Sequence, residues 1–215
     1  MNKETFSERL LTWFKDNKRV FPWRERREPY AVLIAEVLLR KTDAPKVLAV
    51  YEGFLTRYPN FEEVASAPVK ELIEVLKPLG LYRRRANELK GLAKSIVKEH
   101  KGRLPRSKKE LIKLPGVGNY IANAVLCFAF NEDVPLLDSN IIRVLERVFS
   151  LKSFRARPRT DKELWEAAGK IIPKNQAKDF NLALLDFAAQ ICTARNPKCD
   201  LCFFESLCEF RAKSK

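Results

Sequence analysis

Four cysteines, Cys192, Cys199, Cys202 and Cys208, crowd into the last 24 residues with the spacing C-x6-C-x2-C-x5-C. A disulfide framework would scatter its cysteines along the chain, so this cluster points to a metal held by thiolates. Four thiolates suit either tetrahedral zinc or a 4Fe-4S cluster, and the spacing leaves both open. The fifth cysteine, Cys127 in AVLCFAF, reads as a core thiol. Two carboxylates stand out elsewhere. Glu36 interrupts AVLIAEVLLRKT, a run apolar on nearly every face. A carboxylate there loses solvation, so its pKa should rise until it can carry a proton near neutral pH. The competing reading, a glutamate on a polar stripe, is left little room by Ala35 and Leu39. Asp138, in LLDSNIIRVLERV, precedes a helical pattern, and its residue type alone favours an N-cap. The same carboxylate could stabilise a cation developing on a sugar ring, or activate a nucleophile.

The stretch LPGVGNY, residues 114–120, places two glycines two apart between helical patterns, with Tyr120 at the start of the second. Gly116 and Gly118 can both take positive φ and bring bare backbone close to a ligand. The N–H groups of the turn and of the next helix would then converge on one anion, with the positive end of the helix dipole behind them. A plain helix connection accounts for the glycines equally well. The neighbouring Lys108, Lys109 and Lys113 tip the reading towards a phosphate.

The elements that must position these residues are helical throughout. FSERLLTWF lines up Phe6, Leu10, Trp13 and Phe14; PYAVLIAEVLLRKT opens with Pro29 suited to a first turn; further helical spacing covers 45–57, APVKELIEVLKPLG and YRRRANELKGLAKSIVKEH. SKKELIKLPGVG has Ser107 and Glu110 at the spacing of a capping box. NYIANAVLCFAF, DSNIIRVLERVF, DKELWEAAGKII and QAKDFNLALLDFAAQIC complete about ten helices. No stretch alternates with the period of a strand, so the fold class is all-α. Periodicity gives way only near Cys192.

Composition narrows the partner. Lys and Arg number 41 against 27 Asp and Glu, a net charge of +14 spread along the chain rather than held in a tail. Such a surface attracts polyanions, with nucleic acid ahead of an anionic membrane. No apolar run approaches the roughly 20 residues of a membrane span, and the N-terminus is unlike a secretory signal. A soluble, intracellular protein is expected.

The blocks FPWRERREPYAVLIAEVLLRKT, LPGVGNYIANAV, LLDSNIIRVLERVF and FNLALLDFAAQICTARNPKCDLC, in this order from about Phe21 to Cys208, resemble the helix–hairpin–helix/Gly-Pro-Asp superfamily of DNA glycosylases in its iron–sulfur branch. The resemblance implies a six-helix lobe with the helix–hairpin–helix over residues 25–132. It implies a cluster lobe from 1–24 and 133–215, a loop at 192–208 holding a 4Fe-4S cluster on Cys192, Cys199, Cys202 and Cys208, and a DNA-binding cleft between the lobes. The target nucleotide is flipped out of the stack. Asp138 matches the family's essential aspartate, which reverses the preference for a mere cap. Members resembling endonuclease III have a lysine after the hairpin that attacks the sugar. Tyr120 stands there instead, and a phenol cannot form a Schiff base. Glu36 matches a carboxylate of two monofunctional groups, the MutY-type adenine glycosylases and the G·T mismatch thymine glycosylases.

Three features favour the second group: the chain ends soon after Cys208, Arg40 and Lys41 stand where MutY-type sequences carry a Gln pair, and Leu81 stands where they carry a Tyr wedge. The implied enzyme is a monofunctional glycosylase removing thymine or uracil opposite guanine. The alternatives are a MutY-type adenine glycosylase acting on A opposite G or oxidised G, or a non-catalytic DNA-binding protein. Gly116, Gly118, Leu81, Arg40, Lys41 and Asn140 would contact the DNA, and Asp138, Glu36 and Tyr120 would act on the nucleotide. The partner would be double-stranded DNA with a mismatch, with no membrane. The protein would act as a monomer in the cytoplasm, on the nucleoid.

Overall fold

The computed structural model describes residues 3–205 and 208–212. Among these every regular element is helical. In chain order the α-helices are α1 (Lys3–Asn17), α2 (Pro22–Glu25), α3 (Pro29–Leu39), α4 (Ala44–Arg57), α5 (Phe61–Ser66), α6 (Val69–Leu76) and α7 (Tyr82–His100). They continue with α8 (Lys108–Leu111), α9 (Asn119–Phe128), α10 (Ser139–Phe149), α11 (Lys162–Gly169), α12 (Ala177–Gln190) and α13 (Glu209–Ala212). No helix among the described residues is long and apolar enough to cross a membrane. The chain divides into two compact units, Val20–Phe130 and a second made of Met1–Arg19 with Asn131–Lys215.

In the Val20–Phe130 unit, α3 is the central element. Pro29 occupies its first turn, where a missing N–H costs nothing. Eight successive residues, Ala31 to Leu38, are buried, because α4 and α9 both pack against the helix. α7 lies against α5 and α6, closing the unit through Leu72, Leu76, Leu89 and Ile96. Each such side chain contributes about 1.5–3 kcal/mol by leaving water. α5 escapes a periodicity search because it spans only six residues. Its signal is local: the Asn60 carboxamide oxygen accepts from the Glu63 N–H at 2.8 Å, and Glu62 and Glu63 occupy its first turn. The expected capping box at Ser107 is not made. Ser107 precedes α8 without a side-chain cap bond, and its carbonyl accepts from the N–H groups of Glu110 (3.0 Å) and Leu111 (2.9 Å).

In the other unit α1 packs on α12, and α12 on α10. The apolar stripe of α1 is buried at Phe6, Leu10 and Phe14. Phe6 stacks on Phe204 (centroids 4.5 Å) and Trp13 on Phe203 (5.8 Å), so the irregular cysteine segment is seated on regular helices by two adjacent aromatic rings. Phe204→Ala would cost about 3–5 kcal/mol there. Asp186 of α12, fully buried, accepts from the Arg19 backbone N–H (2.9 Å) and Nε (2.6 Å). That pair fastens the end of the N-terminal segment to α12.

Candidate active site and nucleic-acid interface

Within the Val20–Phe130 unit, Leu111, Leu114 and Val117 are buried, while Pro115, Gly116, Gly118 and Asn119 are exposed. The apolar triplet roots the hairpin and turns its glycines outward. Gly116 has φ +76°, a conformation that disfavours any side chain. Gly118 differs from the sequence expectation: its φ of −101° and ψ of −178° are extended backbone that any residue adopts. A Cβ built there meets nothing within 4 Å, so no contact within the protein explains a glycine at 118. The N-cap residue of α9 is Gly118, which has no side chain to cap the helix, and the positive dipole end behind it is suited to a phosphate oxygen. Tyr120 is partly buried in that first turn.

Arg40 and Lys41 directly follow α3. Lys41 is exposed with φ +57°. The Arg40 guanidinium donates to the Gly116 carbonyl at 3.3 Å and pairs with Glu88 on α7. Partial burial opposes ionisation of Glu88, but the hydrogen bond from Arg84 Nε (2.7 Å) and the charges of Arg40 and Arg84 hold its carboxyl below the usual range. Arg40 is thus built into the hairpin's support. A residue the sequence reading missed, Arg85, is buried beside it. Its guanidinium donates to the carbonyls of Val37 (2.7 Å), Leu38 (3.2 Å) and Arg40 (3.1 Å) and to the Thr42 hydroxyl (2.7 Å), closing the C-terminus of α3. Burial, then the charge of Arg40, lowers its pKa. Arg83 and Arg84 beside it are exposed; nothing in the run RRR distinguishes the three.

Glu36 is 8% exposed in the middle of α3. The Tyr51 phenol is pushed up chiefly by its own burial, with smaller contributions from the charges of Glu52, Glu28 and, least, Glu36. At the start of α7, Leu81 is 61% exposed and left-handed, φ +48° and ψ +24°. Such a conformation costs a residue with a Cβ about 1–2 kcal/mol. An exposed leucine held in a strained backbone is suited to inserting into a base stack.

In the second unit, Asp138 caps α10. Its Oδ1 accepts from the N–H groups of Asn140 (2.9 Å) and Ile141 (2.7 Å), and its Oδ2 accepts from Asn140 Nδ2 (2.9 Å). The approach to it is fixed by the fully buried Asn181, whose side chain accepts from the Leu136 N–H (3.0 Å) and donates to the Val134 carbonyl (2.9 Å). Asn140 is exposed and accepts from Arg143, whose guanidinium also donates to the carbonyls of Cys192 (3.0 Å) and Ala188 (2.9 Å). Hydrogen bonds therefore run from Asp138 to the first cysteine of the loop. Asn181 and Arg143 carry no signal in the sequence, because their partners are distant backbone carbonyls and amides.

Of the 192–208 loop, residues 206 and 207 lie outside the described residues. Arg147 donates to the carbonyls of Thr193 (2.7 Å) and Ala194 (3.2 Å) and lies 3.5 Å from the Cys192 sulfur, while the Cys208 thiol donates to the Arg147 carbonyl at 3.3 Å. Burial pushes the Cys202 thiol up to about 11, and the nearness of Cys192, Cys208 and Cys199 adds to the shift. Among the described residues no group of three or more His, Cys, Asp and Glu side chains is arranged for a single metal ion. A polynuclear cluster takes its thiolates on separate irons and needs neighbouring rather than convergent sulfurs. An all-sulfur set with an arginine against it to offset thiolate charge fits such a cluster.

A family model described as HhH-GPD superfamily base excision DNA repair protein matches residues 34–170, and one described as the iron–sulfur binding domain of endonuclease III matches residues 192–208. The chain is 47% identical over 208 residues to the thymine-DNA glycosylase of Aeropyrum pernix, covering 95% of this chain and 93% of that protein. It is 39% identical over 211 residues to the thymine/uracil-DNA glycosylase of Methanothermobacter thermautotrophicus, covering 98% and 95%. The solved structure of a thermostable thymine-DNA glycosylase matches with a TM-score of 0.93 at 39% identity, over 98% of this chain and 97% of that one. Matched over most of its length and carrying the iron–sulfur binding loop, the chain belongs to the HhH-GPD superfamily of base excision DNA repair proteins, as one of its DNA glycosylases.

Proposed function

We propose that this DNA glycosylase is monofunctional and removes thymine or uracil mispaired with guanine from double-stranded DNA, hydrolysing the N-glycosidic bond after the base is flipped out. The observation that carries the monofunctional half is Tyr120 in the first turn of α9. A phenol there supplies no amine for a Schiff base, so water is the nucleophile at C1′ and an abasic site is the product. The choice of base rests on the thymine and thymine/uracil glycosylases that the chain matches nearly end to end.

The residues divide the work. Asp138, held by three donors, stabilises positive charge growing at the sugar as the C1′–N bond lengthens. Glu36 positions the attacking water or carries its proton, a role favoured by its burial. Tyr120 lines the pocket for the flipped nucleotide. Gly116, Gly118 and the N-terminal end of α9 bind a phosphate, Lys41 adds charge, and Arg40 braces the turn from its bond to the Gly116 carbonyl. Leu81 fills the space the base leaves, and Asn140 meets DNA beside Asp138. Cys192, Cys199, Cys202 and Cys208 hold a 4Fe-4S cluster whose contribution is to brace the loop. The protein acts as a monomer, on nucleoid DNA in the cytoplasm.

The test is a panel of G·T, G·U, A·G and A·oxidised-G duplexes followed by hot alkali. Cleavage at T and U opposite G is expected. Release of A much faster than T would transfer the chain to the adenine reading, and no cleavage on any duplex would make it a silent binder.

A further inference from the structure

The segment leaving α10 is shaped for display. Between Lys152 and Lys162 lie five exposed cations, Lys152, Arg155, Arg157, Arg159 and Lys162, and a single carboxylate, the buried Asp161. In their midst the Phe154 ring is 99% exposed. The backbone on both sides of that ring is nevertheless fixed. The Ser153 hydroxyl donates to Asp161 Oδ2 at 2.5 Å and accepts from the Arg155 N–H at 3.1 Å. Asp161 in turn caps α11, its Oδ1 accepting from the Glu163 N–H at 3.1 Å. Farther along, the Thr160 hydroxyl donates to the Arg157 carbonyl (2.8 Å) and Trp165 Nε1 to the Arg159 carbonyl (2.9 Å). Arg155 keeps 65% of its side chain exposed although its Nε lies 3.9 Å from Asp161.

A fully exposed aromatic ring forgoes the gain of burial, and a braced loop forgoes the option of folding it away. The ligand that repays both is one with flat apolar faces set among anionic groups. Of the common macromolecules, nucleic acid has that chemistry: cations hold its phosphates while an aromatic side chain stacks on a base or wedges into a groove. The segment is also separate from the Asp138 site. Asp138 precedes the first residue of α10 and Ser150 follows its last, and at about 1.5 Å per residue the two ends lie roughly 16 Å apart.

We propose that residues 152–159 form a second DNA contact, in which Lys152, Arg155, Arg157 and Arg159 bind phosphates and Phe154 packs on a base. Accessible base faces occur in a single strand and in the grooves of a duplex, so both are assayed. Fluorescence anisotropy over a salt series, with an undamaged duplex and with oligo-dT, compares wild type with Phe154→Ala, Phe154→Tyr and the double variant Arg155→Gln/Arg157→Gln. In at least one arm the alanine variant binds about tenfold more weakly and the tyrosine variant stays near wild type. The double variant lowers the slope of log K against log salt by about 1.5–2. Loss on oligo-dT alone assigns the ring to unpaired bases, and loss on the duplex alone assigns it to a groove. All variants should melt with wild type, since the changed side chains are exposed. Affinities within twofold of wild type on both ligands, with an unchanged salt slope, overturn the proposal. Neither ligand contains a mismatch, so that failure leaves the substrate reading untouched.

Discussion

The N-termini of α9 and α10 start from the same physics and are finished in opposite ways. Each presents N–H groups and a positive dipole end. α9 begins behind Gly116 and Gly118, and its N-cap residue Gly118 has no side chain to cap it, so its positive end suits an anion from outside. α10 begins behind Asp138, which occupies its own N–H groups. That end is closed by a carboxylate fixed by its cap bonds, which can then serve a cation. An uncapped helix start therefore suits binding of a phosphate, and a capped one suits holding a catalytic carboxylate. Capping and catalysis at Asp138 are not rival readings: the cap bonds are what orient the carboxylate.

The strongest test of that contrast is Asp138→Asn. Asparagine caps as well as aspartate, so melting and DNA affinity should stay near wild type while single-turnover base release falls by roughly 10²–10³-fold or more. A comparable fall in melting temperature would reduce Asp138 to a cap. Next in size is the cluster. The purified protein should be brown with one 4Fe-4S cluster, Cys199→Ser should lose the colour, and Cys127→Ser, buried in α9 of the Val20–Phe130 unit, should keep it. A colourless protein with one tightly bound zinc contradicts this.

The two glycines sharpen the α9 end. Gly116→Val forces a β-branched residue to φ +76° and should cost about 1–3 kcal/mol, weakening matched and mismatched duplexes alike. Gly118→Ala should leave stability unchanged, because its backbone is extended and a Cβ meets nothing. If it weakens DNA binding all the same, the DNA backbone comes close to residue 118; unchanged binding means it does not. The smallest effect is on acid stability. The Glu88 carboxyl is lowered in the folded protein, so its contribution is full above the unfolded pKa of about 4.3. It is lost as pH falls through the folded value. Glu88→Gln should lower stability slightly at neutral pH, where that contribution is full, and should flatten that part of the acid dependence.

What could be read from the residues follows from how local each signal is. α3, α9 and α10 announce themselves by apolar spacing, and Asp138 by its position before SNIIRVLERV. The cysteine spacing, once placed in the family, names its own ligand set. Arg85, Asn181 and Arg143 are just as deeply built into the site, but their partners are carbonyls and amides far along the chain, so residue type says nothing. Gly118 can take positive φ by residue type but is extended, because glycine permits both signs of φ and only the turn's closure selects one. Ser107 has the spacing of a capping box, yet its side chain makes no cap bond to the four-residue α8. α5 was missed because six residues are too few for periodicity, although Asn60 and the two glutamates after it mark its start.

The central claim is that Tyr120 makes this a hydrolase rather than a lyase, and strand integrity after thymine release tests it most directly. A labelled G·T duplex is incubated with the protein, split into portions with and without borohydride, and run on denaturing gels before and after hot alkali. The account predicts free thymine, an intact strand until alkali is added, and no covalent complex in borohydride. Nicking without alkali, or a protein–DNA adduct trapped by borohydride, would contradict it.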